Sequence, residues 1–157
     1  MSKVAAIQMA SAPQRDANLI EAGRLIQLAK DQGAELVVLP ENFSIMGVNE
    51  SDKVDIREPY KNGRIQDFLS AQAKKHGVWI VGGTIPLECD DPNKIIAACI
   101  VYNADGEVVA RYDKIHLFDV ELGTDESYKE SETISNGTEV VVVDTPFGKL
   151  GLAVSYT

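Results

Sequence analysis

The 157-residue sequence predicts an α/β fold, a mixed sheet with helices on at least one face, from three observations. Short apolar runs at 3–9, 36–39 and 78–81 alternate with two segments of helical periodicity, the pattern of βαβ units. Two further strand-like runs, 95–102 and 107–112, flank Asn103-Ala104-Asp105-Gly106, and the Asp-Gly pair marks an antiparallel hairpin. Polar stretches without periodicity follow the strands, at the carboxyl ends where α/β sheets bind ligands.

Each element has a local reason. Lys3–Met9 is a short apolar strand, stopped by Ser11-Ala12-Pro13. A helix starts near Asp16, taken as its N-cap, and runs to Gln32, with Gly33 in the C′ position. Leu19, Ile20, Ala22, Leu25, Ile26, Leu28 and Ala29 recur at helical spacing and form its apolar face. Leu36–Leu39 is wholly apolar, as a buried parallel strand is, and the unit crosses over right-handed. From Phe43 to Asn62 the pattern is lost, so this reads as a long functional loop with one helical turn. A second helix spans about 63–76 with Ile65, Phe68, Leu69 and Ala73 inward, and Gly77 ends it. Val78–Val81 is the next strand, followed by Gly82-Gly83, and 87–94 is an acidic surface loop. Residues 119–139 read as irregular and acidic. Val140–Val143, a turn at Pro146-Phe147-Gly148 and an apolar strand at 150–154 close the chain.

At this length one domain with a sizeable core is expected. Apolar content of 45% and charged content of 25% fit a globular protein. A net charge of −9 argues against a nucleic-acid or anionic-membrane binder. The N-terminus lacks the apolar core of a signal peptide, and no run reaches the ~18 residues of a membrane span. Cys89 and Cys99 make no disulfide framework and read as reduced, which places the protein in the cytoplasm. His76 and His116 are too few and too scattered for a metal set.

Four polar residues stand at strand ends or in the irregular stretch before the last strands. Taken singly, each has an ordinary reading. Glu41 is a solvated loop carboxylate, Lys114 a solvated charge, Glu130 one acid among many, and Ser155 the polar end of a core strand. Taken together they supply a general base, a cation for an oxyanion and a nucleophile, the minimal parts of acyl transfer. A serine without a histidine partner is a poor nucleophile. A cysteine in its place ionises far more readily, near a pKa of ~8.5.

The chain resembles the carbon–nitrogen hydrolase (nitrilase) superfamily along essentially its whole length. The matching stretches are VAAIQMA at the start, LVVLPENF at 36–43, VVARYDKIHLFDVEL at 108–122, YKESETISNG at 128–137 and DTPFGKLGLAVSY at 144–156. That family uses a Glu–Lys–Cys triad with a second glutamate. Its base matches Glu41, its lysine Lys114 and its second glutamate Glu130. Its nucleophile falls at Ser155, where the family reads GLAVCYD, and Thr157 replaces the family's Asp. The resemblance implies an α-β-β-α sandwich with helices on the outer face, of which residues 1–157 are the first half of one domain. The HLFDV run and the Glu-Ser stretch look most like the Nit-type amidases, which include ω-amidase and deaminated glutathione amidase. It implies hydrolysis of the amide of a small carboxylic acid, with the backbone N–H of Tyr156 joining Lys114 at the oxyanion and no metal or cofactor. With Ser155, the chain is expected to be inactive or nearly so. An uncovered sheet face is expected to cause self-association into a homodimer or larger oligomer, or to recruit a companion chain. The rival reading is a non-catalytic module that binds a partner through that face.

Overall fold

The computed structural model describes residues 2–121 and 127–155. In chain order the elements are β1 (Val4–Ala6), α1 (Arg15–Asp31), β2 (Leu36–Val38), α2 (Asp52–Asp55), α3 (Arg64–His76), β3 (Trp79–Val81), β4 (Ile85–Leu87), β5 (Ile96–Tyr102), β6 (Val108–Asp113), β7 (Asp119–Glu121), β8 (Ser127–Lys129), β9 (Val142–Thr145) and β10 (Gly148–Gly151). A 3₁₀ turn, Glu130–Glu132, follows β8 directly.

The apolar runs pair into a six-stranded mixed sheet. β1, β2 and β3 are parallel, with Val4 opposite Leu36 and Leu36 opposite Trp79. β3 and β4 then run successively along one edge of β5, antiparallel to it. Val81 faces Val101, but Ile85 faces Ala98, so the register slips by one residue between them. That slip is a bulge at Gly82-Gly83-Thr84, a feature that breaks pairing and re-aims side chains near sites. β6 pairs with the other edge of β5, from Ala98 opposite Asp113 to Tyr102 opposite Val108.

Strand alternation sorts the sheet's side chains onto two faces. Val37, Leu39, Ile80, Ala98, Ile100 and Tyr102 pack against Leu19, Ala22, Ile26, Ile65, Leu69 and Ala73 of α1 and α3. Leu36, Val81, Cys99, Val101 and Tyr112 turn the other way, where Phe147, Leu150, Leu152 and Val154 cover them. Trp79 meets Phe147 edge-on, with ring centroids 6.3 Å apart. The helices thus lie on one face, and the β9–β10 hairpin with the chain after it lies on the other. Among the described residues no helix is long and apolar enough to cross a membrane.

The structure shifts several expected boundaries. Asp16 lies within α1, and Gln14 occupies the N-cap without a side-chain bond. Ile20 and Leu28 face outward, and Asn18 faces inward, where its amide bonds Ala12 and the Ser44 carbonyl. The hydrophobic spacing could not show that an amide fills the helix's inner face. The expected helical turn within 43–62 is α2. β4 was not expected, because Pro86 sits inside it and Glu88 and Cys89 follow. Pro86 pairs opposite Ala97, and its carbonyl accepts the Glu58 N–H, so the strand tolerates it. The stretch 119–139 holds the β7–β8 hairpin and the 3₁₀ turn. The last hairpin pairs 142–145 with 148–151, displaced from the expected 140–143 and 150–154, because Gly148 rather than Leu150 opens the second strand.

Candidate active site

β2 delivers Glu41. The strand's pairing continues through Leu39, whose N–H donates to the Val81 carbonyl, and Pro40 then turns the chain out of the sheet. Gly83 lies directly beside this turn. A Cβ there would overlap the Pro40 carbonyl oxygen, and φ is +56°, so only glycine lets the two backbones approach. Glu41 is left half-buried, facing the end of β6.

β6 delivers Lys114. Its N–H donates to the Ala97 carbonyl and its own carbonyl accepts the Gly137 N–H, so the backbone is gripped on both sides. The side chain is 1% exposed. A lone buried ammonium is costly, and this one is paired twice. Nζ donates to Glu41 Oε1 at 2.8 Å and to Glu130 Oε2 at 2.7 Å. Burial works against the ammonium, but the hydrogen bonds and charges of Glu130 and Glu41 outweigh it, so the pKa stands above the ordinary lysine value. Lys114 stays charged throughout the neutral range.

Glu130 opens the 3₁₀ turn and is buried. Its Oε2 also accepts the Phe118 N–H at 2.8 Å, and its own N–H donates to the Phe118 carbonyl. The next residue, Ser131, is held through the peptides on both its sides. Asp119 Oδ1 accepts the Ser131 N–H at 3.0 Å, and Lys94 Nζ donates to the Ser131 carbonyl at 2.8 Å.

Ser155 arrives from the opposite face of the sheet. Leu152 and Val154 are buried against it and hold the terminal stretch down, while Ser155 is exposed with φ +62°, an unusual backbone state for a non-glycine residue. Ser155 and Glu41 line one cavity of about 140 Å³, whose wall includes Val38, Val81, Thr84 and Cys99. The expected site residues therefore meet in two linked ways. Glu41, Lys114 and Glu130 form one ion-paired chain, and Glu41 shares the cavity with Ser155. Tyr156 lies outside the described residues. Thr84, Cys99, Asp119 and Lys94 were not foreseen. The Gly82-Gly83-Thr84 sequence after an apolar strand was the one signal that a backbone approach occurred there.

The fold and site define a class: an α/β protein whose strand ends gather carboxylate, ammonium and carboxylate beside a small cavity. Residues 3–157 match the family model "Carbon-nitrogen hydrolase", and the chain belongs to that family. It is 36% identical over 155 residues to "Omega-amidase NIT2-A" of Xenopus laevis, covering 98% of this chain and 54% of that protein. It is 33% identical over 157 residues to "Deaminated glutathione amidase" of Yersinia enterocolitica, covering 99% and 54%. The crystal structure of Saccharomyces cerevisiae Nit3, described as a member of branch 10 of the nitrilase superfamily, superposes with a TM-score of 0.81 at 32% identity, covering 97% of this chain and 54% of that one. The chain spans about half the length of these relatives.

Proposed function

We propose that the chain carries the amide-cleaving site of a carbon–nitrogen hydrolase acting on the amide of a small carboxylic acid. One observation carries the reading: a buried Lys114 bridges Glu41 and Glu130, and Glu41 lines the cavity that Ser155 also lines. The names of the relatives, ω-amidase and deaminated glutathione amidase, support the substrate class.

The reaction follows from the groups. Glu41 accepts the proton of the nucleophile at position 155, whose heteroatom then bonds to the amide carbon. The carbonyl oxygen becomes an oxyanion, held by Lys114 Nζ and by the backbone N–H of Tyr156. The tetrahedral species collapses, the C–N bond breaks, and Glu41 returns its proton to the leaving nitrogen. Water activated by Glu41 then cleaves the acyl ester or thioester, releasing the acid. Glu130 holds Lys114 in place and orients substrate or water. With an oxygen nucleophile and only a carboxylate base, the first step is slow, so this chain turns over little or nothing.

Ser155→Cys tests the assignment. Hydrolysis of monoamides of small dicarboxylic acids, followed by ammonia release, rises by roughly 10³-fold or more, the order of effect seen when a nucleophile is removed. Glu41→Gln in the same background removes the gain. No gain in Ser155→Cys overturns the nucleophile assignment.

A second reading is favoured by Val4, Val140 and Val142, which are 53%, 84% and 59% exposed. These support a module that self-associates through its sheet and does no chemistry. Light scattering showing dimers or larger species, with no acylation of Ser155→Cys, favours it. A monomer that acylates rules it out.

A further inference from the structure

We propose that Thr84 is a positioning residue for Glu41, fixing the base by holding the peptide that follows it. The inference rests on the catalytic reading of Glu41 given above. It starts from the turn at 40–42, where the chain leaves β2. Asn42 has φ +55°, the left-handed region, which costs an L residue about 1 kcal/mol and persists only where something holds it. One hydrogen bond fixes its N–H: Thr84 Oγ1 accepts it at 2.8 Å, across 42 residues of sequence.

Thr84 is well placed for this. It is 2% exposed and sits at the bulge between β3 and β4. Ile80 and Ile85 on either side of the bulge are core residues with essentially no exposure, so the hydroxyl is anchored to the rigid centre of the sheet. The adjacent Gly83 lets the Pro40 carbonyl come close enough for the bond to form. The left-handed turn sends Glu41 toward Lys114 and the next side chain, Phe43, into full burial. Without the Thr84 oxygen, the Asn42 N–H loses its partner and the turn relaxes toward ordinary φ. That rotation carries the Glu41 carboxylate away from both Lys114 and the cavity. Thr84 also lines the cavity, so bond and site are contiguous.

The test uses the Ser155→Cys chain and iodoacetamide, a small primary amide that alkylates a thiol. Labelling is read at residue 155 by peptide mass, so Cys89 and Cys99 do not interfere. In the parent, Glu41 draws the thiol proton and alkylation proceeds at neutral pH. Glu41→Gln moves the pH profile toward that of a free thiol, near ~8.5. Thr84→Ala and Thr84→Ser both lose the methyl and differ only by the oxygen. Thr84→Ala is expected to follow Glu41→Gln and to react about tenfold more slowly at pH 7, the size of one lost hydrogen bond. Thr84→Ser is expected to stay within about twofold of the parent, by the same reasoning.

A merely structural role would lower the melting temperature without moving the profile. If Glu41→Gln shifts the profile and the Ala and Ser variants behave alike, the positioning role of Thr84 is overturned. If Glu41→Gln itself shifts nothing, the catalytic reading fails instead. A readout independent of chemistry then decides about Thr84. Hydrogen exchange at the Asn42 amide quickens in Thr84→Ala and not in Thr84→Ser, and equal exchange in the two overturns the hold itself.

Discussion

Lys114 Nζ donates to Glu41 Oε1 at 2.8 Å although 73 residues separate them, and the same nitrogen reaches Glu130. Two carboxylates thus depend on one buried ammonium. Lys114→Met removes the ammonium and leaves Glu130 buried beside Glu41 with like charge. Breaking a buried pair in this way costs about 3 kcal/mol or more. Urea unfolding at pH 7 measures the loss. A deficit below about 1 kcal/mol, the size of an exposed ion pair, would show that the charge pairing contributes little.

The cavity wall makes a separate prediction about alkaline pH. Burial pushes the Cys99 thiol up to about 12 from an ordinary value of 9.0. Between those values the folded thiol keeps its proton and the unfolded one has lost it. The native state then binds more protons, so stability falls as pH rises, by about 1.4 kcal/mol per unit for one group. The raised pKa of Lys114 acts with the same sign but only above ~10.4, and the raised pKa values of Tyr102 and Tyr128 only above ~10. The interval from pH ~9 to ~10 therefore isolates the thiol. Chemical denaturation across it should show the slope in the unsubstituted chain and a flat line in Cys99→Ala. The same slope in both would exclude Cys99 as the cause.

Gly83 and Gly77 form a controlled pair. Both have left-handed φ, +56° and +59°. An added Cβ at Gly77 meets nothing within 4 Å, whereas at Gly83 it overlaps the Pro40 carbonyl. Gly77→Ala is expected to cost about 1 kcal/mol, the conformational term alone. Gly83→Ala adds a backbone collision and should cost clearly more, about 2–3 kcal/mol, since the strands behind it cannot give way. Equal thermal shifts for the two would mean that the 40–42 turn is free to move, and the close approach at Pro40 would lose its importance.

What the sequence could and could not show follows from these contacts. The two long helices and the strands up to β6, β4 apart, were legible because their burial is periodic, and periodicity is local. Glu41 and Lys114 were legible as polar residues at strand ends and through motif resemblance, and Glu130 through the resemblance alone. The pairing of Lys114 with Glu130 was not, because it depends on a hairpin whose strands, β7 and β8, are three residues each and carry Asp119, Glu121 and Lys129. No apolar pattern announces such strands. Glu58 is a similar case. It lies in the stretch that read as a long loop, yet it is buried, and its carboxylate accepts the N–H groups of Ile65 and Gln66 at the start of α3. A helix capped from six residues upstream of its first turn leaves no local signature. Ile20 and Leu28 show the reverse: apolar residues at helical spacing that stay exposed.

The hairpin also decides the last prediction. Asp119 holds the Ser131 N–H and Lys94 holds the Ser131 carbonyl, so the residue next to Glu130 is pinned on both sides. Asp119→Ala or Lys94→Met frees one side. The Glu130 carboxylate then loses registry with Lys114, and a misplacement of the order of 1 Å lowers the rate by between about tenfold and a hundredfold. Amide hydrolysis in the Ser155→Cys background measures this. Asp119→Asn keeps an acceptor oxygen at the same place and should retain most of the rate. Because both side chains act on one residue, the double variant should lose much less than the product of the two single losses. Losses that multiply would mean that Asp119 and Lys94 act on different parts of the site, and the shared clamp would be wrong.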